Sequence, residues 1–371
     1  MSKRAIGIIT LPGNFNYGNR LQCYAMTKAV SSVGCEPYAL EREKSFPLYR
    51  SVYYWLKRKI RAIMQGSSCD SPEKMSSPQR IAAFKRFGGR IPTRVLPGYG
   101  YSPCDEFSFY IVGSDQVWNP NGIAHQEKWY FAKFAKPNQR IAVAASIGID
   151  DFSSKKQMNL IAQGLKGFSR VSLREKRGAE LIKQITGRDI EVICDPTLTL
   201  SADEWREVAD DAITPKVPYV FTYLLGGIGA DAAEVLEIVT KHGTIPVVPL
   251  SDRQKPGEPD AGPAEFISLI DNATHVVTDS FHAAVFSSIL HTPLTIVHRE
   301  GGASMFSRLE MLSQTLGIEE KIYGSTTYDI SKAGDYDGVD VAIAHERERF
   351  MGFLEGCLDV DSSGLEGPSH G

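Results

Sequence analysis

Short apolar runs followed by amphipathic stretches recur along nearly the whole chain, and this alternation limits the fold more than any other feature. AIGIIT comes first. FSFYIVGS, RIAVAASIG and the run around RVSLRE follow, and then EVICD, PYVFTYLL, TIPVVPL, THVVTD and PLTIVH. Strands that alternate with helices in this way predict an α/β fold, with parallel sheets covered by helices on both faces. At roughly 100–200 residues per domain, 371 residues suit two such sheets. Pro196 to Pro218, with a short helix around Asp203–Ala209, reads as the junction. A helix is predicted over Gln22–Val33 and a final one over Gly338–Cys357. The expected organisation is an N-terminal Rossmann-like domain over 1–200, a second over 201–335, a helix within 336–358 and a disordered tail over 359–371.

Composition narrows the class. The chain is 42% hydrophobic and 23% charged, with a formal net charge of −3, which suits a globular protein. No window approaches the ~18 apolar residues of a spanning helix. MSKRAIGIITLPGN lacks the long apolar region of a signal peptide, so a cytoplasmic protein is expected. Cys23, Cys35, Cys69, Cys104, Cys194 and Cys357 are scattered, as for reduced thiols, and no His or Cys spacing suggests a metal site. Charge is uneven. Between Arg50 and Leu96 eleven Lys and Arg face only Asp70 and Glu73, a local +9. A basic helical insertion is expected over about 50–95: one helix over Tyr53–Met64 carrying Lys57, Arg58, Lys59 and Arg61, and a second around Ile81–Phe87. Such a segment is either a solvated face or a platform for anionic head groups at the inner membrane face. With an acidic chain and no recognition motif, nucleic acid is not an expected partner.

Ligands of open α/β sheets bind beyond the carboxyl ends of strands, so the residues after each apolar run are the candidates. LPGNFNYGNR follows the first. Its Asn14, Asn16, Tyr17, Gly18 and Asn19 combine amides, a tight turn and a helix start, suited to a sugar or an anion. Ser114, Asp115, Gln116 and Trp118 follow YIV and suit the hydroxyls and faces of a sugar. Arg174 follows RVSL, where a guanidinium aimed into a cleft would clamp a carboxylate or phosphate. THVVTD leads into Ser280, Phe281 and His282 at a helix start, where the imidazolium is disfavoured and acid–base work near neutral pH is suited. Arg299 and Arg308 are nearby cations.

In order along the chain, GNFNYGNRLQ, YIVGSDQVWN, RIAVAASIG, VSLREKRGAELI, VICDPTLTL, VVTDSFHAAVFSS and SRLEMLSQTLG resemble the polysaccharide pyruvyl transferase family over roughly residues 5–320. The resemblance implies a GT-B-like pair of Rossmann-like domains facing across a cleft, the first on the acceptor side and the second on the donor side. It implies transfer of the pyruvyl group of phosphoenolpyruvate onto two hydroxyls of one sugar in a surface or exopolysaccharide precursor, giving a ketal and phosphate. The acceptor would be a sugar or a glycan linked to polyprenyl diphosphate. Phosphoenolpyruvate is a co-substrate, and no bound cofactor is implied. Arg174 and His282 fall on the family's catalytic positions. Donor binding is expected from both, together with Ser280, Phe281, Arg299 and Arg308. Family members carry Arg-x-His at the histidine, where this chain has Ser280-Phe281-His282. That departure leaves two other expectations open, a GT-B glycosyltransferase using a sugar nucleotide and a non-catalytic sugar-binding subunit.

Overall fold

The computed structural model describes residues 3–13, 15–42, 76–96, 106–123, 126–299 and 306–358. The apolar runs form two parallel sheets. The first has seven strands: β1 (Ala5–Ile9), β2 (Glu36–Arg42), β3 (Thr93–Leu96), β4 (Phe109–Val112), β5 (Arg140–Ala145), β6 (Arg170–Leu173) and β7 (Glu191–Val192). They lie in the order β3-β2-β1-β4-β5-β6-β7, so the order reverses between β1 and β4. The second sheet contains β8 (Val220–Tyr223), β9 (Val247–Leu250), β10 (His275–Thr278) and β11 (Leu294–Ile296), in the order β11-β10-β8-β9. Its reversal lies between β8 and β10. Each reversal leaves a crevice at the carboxyl ends of the two strands beside it, where a ligand can enter.

Five helices position the site: α1 (Tyr17–Ser32), α2 (Pro78–Gly88), α8 (Pro263–Asp271), α9 (Phe281–Leu290) and α10 (Ser307–Leu316). Between α2 and α8 lie α3 (Glu127–Tyr130), α4 (Lys155–Gly164), α5 (Lys176–Thr186), α6 (Ala202–Arg206) and α7 (Ala230–Val239), and α11 (Val339–Leu358) ends the described chain. Helix α1 starts earlier than its apolar spacing predicts. Asn16 is its N-cap, accepting from the Asn19 N–H at 2.9 Å, so Tyr17, Gly18 and Asn19 form a first helical turn rather than a loop.

That turn joins the two halves. Tyr17 is fully buried, stacks on Phe266 of α8 with ring centres 4.8 Å apart, meets Tyr223 edge-on at 5.5 Å and donates to the Ala261 carbonyl at 3.1 Å. Aromatic pairs of this kind add about 0.5–1.5 kcal/mol each beyond the area they bury. Helix α11 returns the chain to the first sheet, where Arg349 donates to the Val192 carbonyl at 2.6 Å and the Leu358 carbonyl accepts from Arg4 at 2.7 Å.

The described part of the basic segment is also structural. On α2, Arg80 is fully buried and donates to the Ser251 carbonyl at 2.7 Å, Arg86 pairs with Glu265 and Asp210, and the Ser77 hydroxyl at its N-cap donates to Asp260. Arg80 and the acid-paired Arg86 fasten this helix to the second half, while Lys85 and Arg86 on it and Arg90 just past its end stay exposed. Lys57, Arg58, Lys59 and Arg61 lie outside the described residues, as do Cys69, Cys104 and the tail. Among the described residues no helix is long and apolar enough to cross a membrane.

Candidate active site

Both crevices open into one cavity of about 960 Å³. Asn16, Gly18, Asn19, Asp115 and Gln116 line it from the first half, and Ser280, Phe281, His282, Arg299 and Arg308 from the second. The structure thus brings together ten residues that sequence reasoning placed in a site. Asn14 lies outside the described residues.

Helix α9 begins at the cavity wall. Its N-cap, Ser280, makes no side-chain bond to the first turn, so the positive end of the helix faces the space. The His282 ring rests against α1, with its Nε2 3.7 Å from Asp195 Oδ2. Asp195 follows β7 and is 1% exposed. Its Oδ1 accepts from the Thr197 N–H at 3.0 Å and hydroxyl at 2.7 Å, and its Oδ2 accepts from Arg174 at 2.5 Å and from the Ser114 hydroxyl at 3.3 Å. Burial works to raise the Asp195 carboxyl, but the charge of Arg174, together with His282 and the Thr197 N–H, holds it far below the usual carboxylate range. It is a fixed negative charge behind the histidine.

Four expected contacts are corrected. Arg174 is 2% exposed and does not line the cavity, because Asp195 and Asp115 take its guanidinium, the latter at 3.1 Å. Burial opposes its charge, and these carboxylates hold its pKa above the ordinary arginine value. An arginine aimed into the cleft is thus replaced by one buried behind the wall, its plane 4.9 Å from the Phe281 ring centre. Tyr17 is consumed by the contact between the halves. The Ser114 hydroxyl is buried on the Ala144 carbonyl at 2.9 Å. Trp118 is in the core, stacked on Phe131 with its indole N–H on the Tyr130 carbonyl at 2.9 Å. Its faces are covered by protein and present nothing to a sugar.

Among the described residues, the cations that do line the cavity are Arg253, Lys255, Arg299 and Arg308. Arg299 donates to Asp279 at 3.1 Å. The Gln116 side-chain amide lies 3.3 Å from both terminal nitrogens of Arg308, from which its oxygen accepts when the amide is turned toward α10. Desolvation and then the Arg174 charge push Arg308 down to about 10, which leaves it protonated at neutral pH. Asp279 accepts from the Leu225 and Gly226 N–H groups at 2.7 and 2.8 Å, and so holds the glycine-rich turn after β8. Sequence reasoning missed Asp195, Asp252, Tyr223, Arg253 and Lys255. The rule that found Asp115 would have found two of them, since Asp195 ends EVICD and Asp252 ends TIPVVPLSD. Among the described residues no group of three His, Cys, Asp or Glu side chains is placed to hold a metal ion.

Two parallel sheets whose reversal points face one cavity define an α/β enzyme of GT-B-like architecture. The chain belongs to the polysaccharide pyruvyl transferase family, whose model matches residues 16–298, and it is a transferase. No curated protein sequence matches it. Among solved structures it is similar to Staphylococcus aureus MnaA determined with UDP, at 12% identity over 100% of both chains and a TM-score of 0.49. It is also similar to the UDP-GlcNAc 2-epimerase of Neisseria meningitidis bound to UDP-GlcNAc, at 11% identity over 95% of this chain and 99% of that one, TM-score 0.42. The glycosyltransferase SnogD of Streptomyces nogalater aligns at 12% identity over 97% and 99%, TM-score 0.43. At these values the likeness carries no functional conclusion.

Proposed function

We propose that the protein transfers the pyruvyl group of phosphoenolpyruvate onto two hydroxyls of one sugar in a surface or exopolysaccharide precursor, releasing phosphate. One observation carries this reading: His282, backed by Asp195, shares a cavity with Arg299, Arg308 and the positive end of α9. Phosphoenolpyruvate carries a phosphate and a carboxylate and needs two cationic partners. Arg299 and Arg308 supply them, and Lys255 and Arg253 add charge at the rim. Ser280 stands where relatives have an arginine, so these cations compensate for the one lost there. Arg174 acts from behind the wall, fixing Asp195 and through it His282. Pre-set charge of this kind stabilises the developing phosphate and carboxylate in the transition state.

The acceptor is a glycan with two suitably placed hydroxyls, free or carried on polyprenyl diphosphate. Asn16, Asn19, Asp115 and Gln116 offer amide and carboxylate partners for it. A cytoplasmic enzyme that touches the inner membrane face through Lys57, Arg58, Lys59 and Arg61 would meet a lipid-linked acceptor there. The sugar-nucleotide alternative is less well supported, because Asp279 occupies the Leu225 and Gly226 amides that would otherwise greet a diphosphate. Incubation with phosphoenolpyruvate and candidate acceptors tests the reading. Phosphate release that depends on acceptor supports it. Release of a nucleotide from a sugar nucleotide under the same conditions, with phosphoenolpyruvate inert, rejects it.

A further inference from the structure

We propose that Asp252, paired with the Tyr223 phenol, is a second acid–base residue of the transfer, working with His282 across the cavity. The inference rests on the pyruvyl-transfer reading and assigns the protons that reading leaves unassigned.

The placement comes from the first turn of α1. Asn16, its N-cap, donates from Nδ2 to Asp252 Oδ2 at 3.3 Å, and Gly18, two residues on, abuts the His282 ring. One helical turn of the first half therefore touches two side chains of the second half: Asp252 in the segment after β9 and His282 in the first turn of α9. Both line the cavity. Asp252 also accepts from the Tyr223 hydroxyl through Oδ1. Arg80 lies beneath, donating to the Ser251 carbonyl and, at 3.4 Å, to the Asp252 carbonyl. The charged and titratable groups around the carboxylate are Tyr223, Tyr17, Arg80 and Arg299, with Glu258 beyond Arg80 at 4.0 Å. Burial outweighs the hydrogen bonds of Tyr223 and Asn16 and the two arginine charges, so the carboxyl lies above its ordinary range. Such a shift brings a carboxyl nearer the pH at which it both takes and gives a proton.

Ketal formation needs two such groups. The first sugar hydroxyl loses its proton to the Asp252 carboxylate as its oxygen bonds to C2 of phosphoenolpyruvate. The C2–C3 π pair takes a proton from the His282 imidazolium, and the methylene becomes a methyl group. The second hydroxyl then loses its proton to the neutral His282 as its oxygen bonds to C2. The C2–O bond to phosphate breaks with its electron pair on oxygen, and that oxygen takes the proton held by Asp252. Both side chains return to their starting states, and the products are a ketal and hydrogen phosphate.

Asp252→Asn and Tyr223→Phe test the proposal. Turnover is read as phosphate release from phosphoenolpyruvate with a diol acceptor, and donor affinity by titration calorimetry. The expected result is at least a hundred-fold loss of kcat in Asp252→Asn, with donor Kd within about three-fold of wild type, and a displaced acid limb of the pH–rate profile in Tyr223→Phe. Wild-type turnover in Asp252→Asn overturns the proposal, as does donor binding that falls in parallel with kcat. If Asp252→Asn does not fold, Tyr223→Phe decides, since the carboxylate remains and an unchanged pH profile rejects the role. A wild-type protein inert toward phosphoenolpyruvate with every diol overturns the transferase reading itself, and the inference with it. An active wild type beside an equally active Asp252→Asn overturns the inference alone.

Discussion

Gly18 on α1 and His282 on α9 meet so closely that a side chain between them has no room: a Cβ on Gly18 would lie 2.0 Å from His282 Nδ1. The imidazole is thereby pressed between α1 and Asp195, whose Oδ2 is 3.7 Å from its other nitrogen. Glycine is needed here for close approach rather than for a turn, because Gly18 sits within a helix.

Gly18→Ala should therefore displace the His282 ring or part the two halves locally. Overpacking of this sort costs roughly 1–3 kcal/mol. Turnover is expected to fall far more than stability, which paired thermal melts and phosphate-release rates would show. A variant with wild-type turnover would mean that the ring position is unimportant.

Arg174→Ala is expected to lose both activity and stability. At 2% exposure the arginine neutralises two buried carboxylates, and removing one partner of a buried pair costs about 3–5 kcal/mol. Urea unfolding of Arg174→Ala, Asp195→Asn and the double variant should show less than additive losses, because the two residues share one network.

Arg308→Ala should weaken donor use selectively. A hydrogen bond to a charged group contributes about 1.5–3 kcal/mol, so the KM for phosphoenolpyruvate is expected to rise ten-fold or more with little change in acceptor KM. Equal effects on both would remove Arg308 from the donor site.

His275 makes stability depend on pH. It is buried on β10 with Nε2 2.8 Å from the Thr295 hydroxyl, and desolvation, with the Lys321 charge, lowers its pKa from 6.5 to about 4. The unfolded chain binds this proton first as pH falls. The stability is therefore complete above about 6.5 and is lost progressively as pH drops toward 4. At roughly 1.4 kcal/mol per unit the loss reaches about 3 kcal/mol. Urea midpoints measured at about pH 7.5 and pH 5 should differ less in His275→Gln than in the wild type.

Much of the architecture is legible because the strands are short, apolar and regularly followed by helices. Helix α2, at Pro78–Gly88, falls where Ile81–Phe87 was expected. Strands β2 and β3 went unread: EPYALER opens on a glutamate and a proline and ends in charges, and β3 is an edge strand with Val95 53% exposed, so neither shows an apolar run. The candidate site was approached through the rule that ligands meet the carboxyl ends of strands, which led to Asp115, Gln116 and His282, all of which line the cavity. The same rule could not tell which way a side chain turns. Trp118 and Arg174 stand at the same strand ends and point into the protein, because partners far along the chain, Phe131 and Asp195, receive them. The pairing of Asn16 with Asp252 spans 236 residues, and no local pattern reveals it.

The most direct test is the reaction itself with wild type and His282→Ala side by side. Each is incubated with phosphoenolpyruvate and a sugar diol, phosphate is followed over time, and the sugar is examined by mass spectrometry. The account predicts acceptor-dependent phosphate release by the wild type, a sugar product heavier by one pyruvate less one water, and loss of both in His282→Ala with the fold retained. Phosphate release and ketal formation that survive in His282→Ala would contradict it.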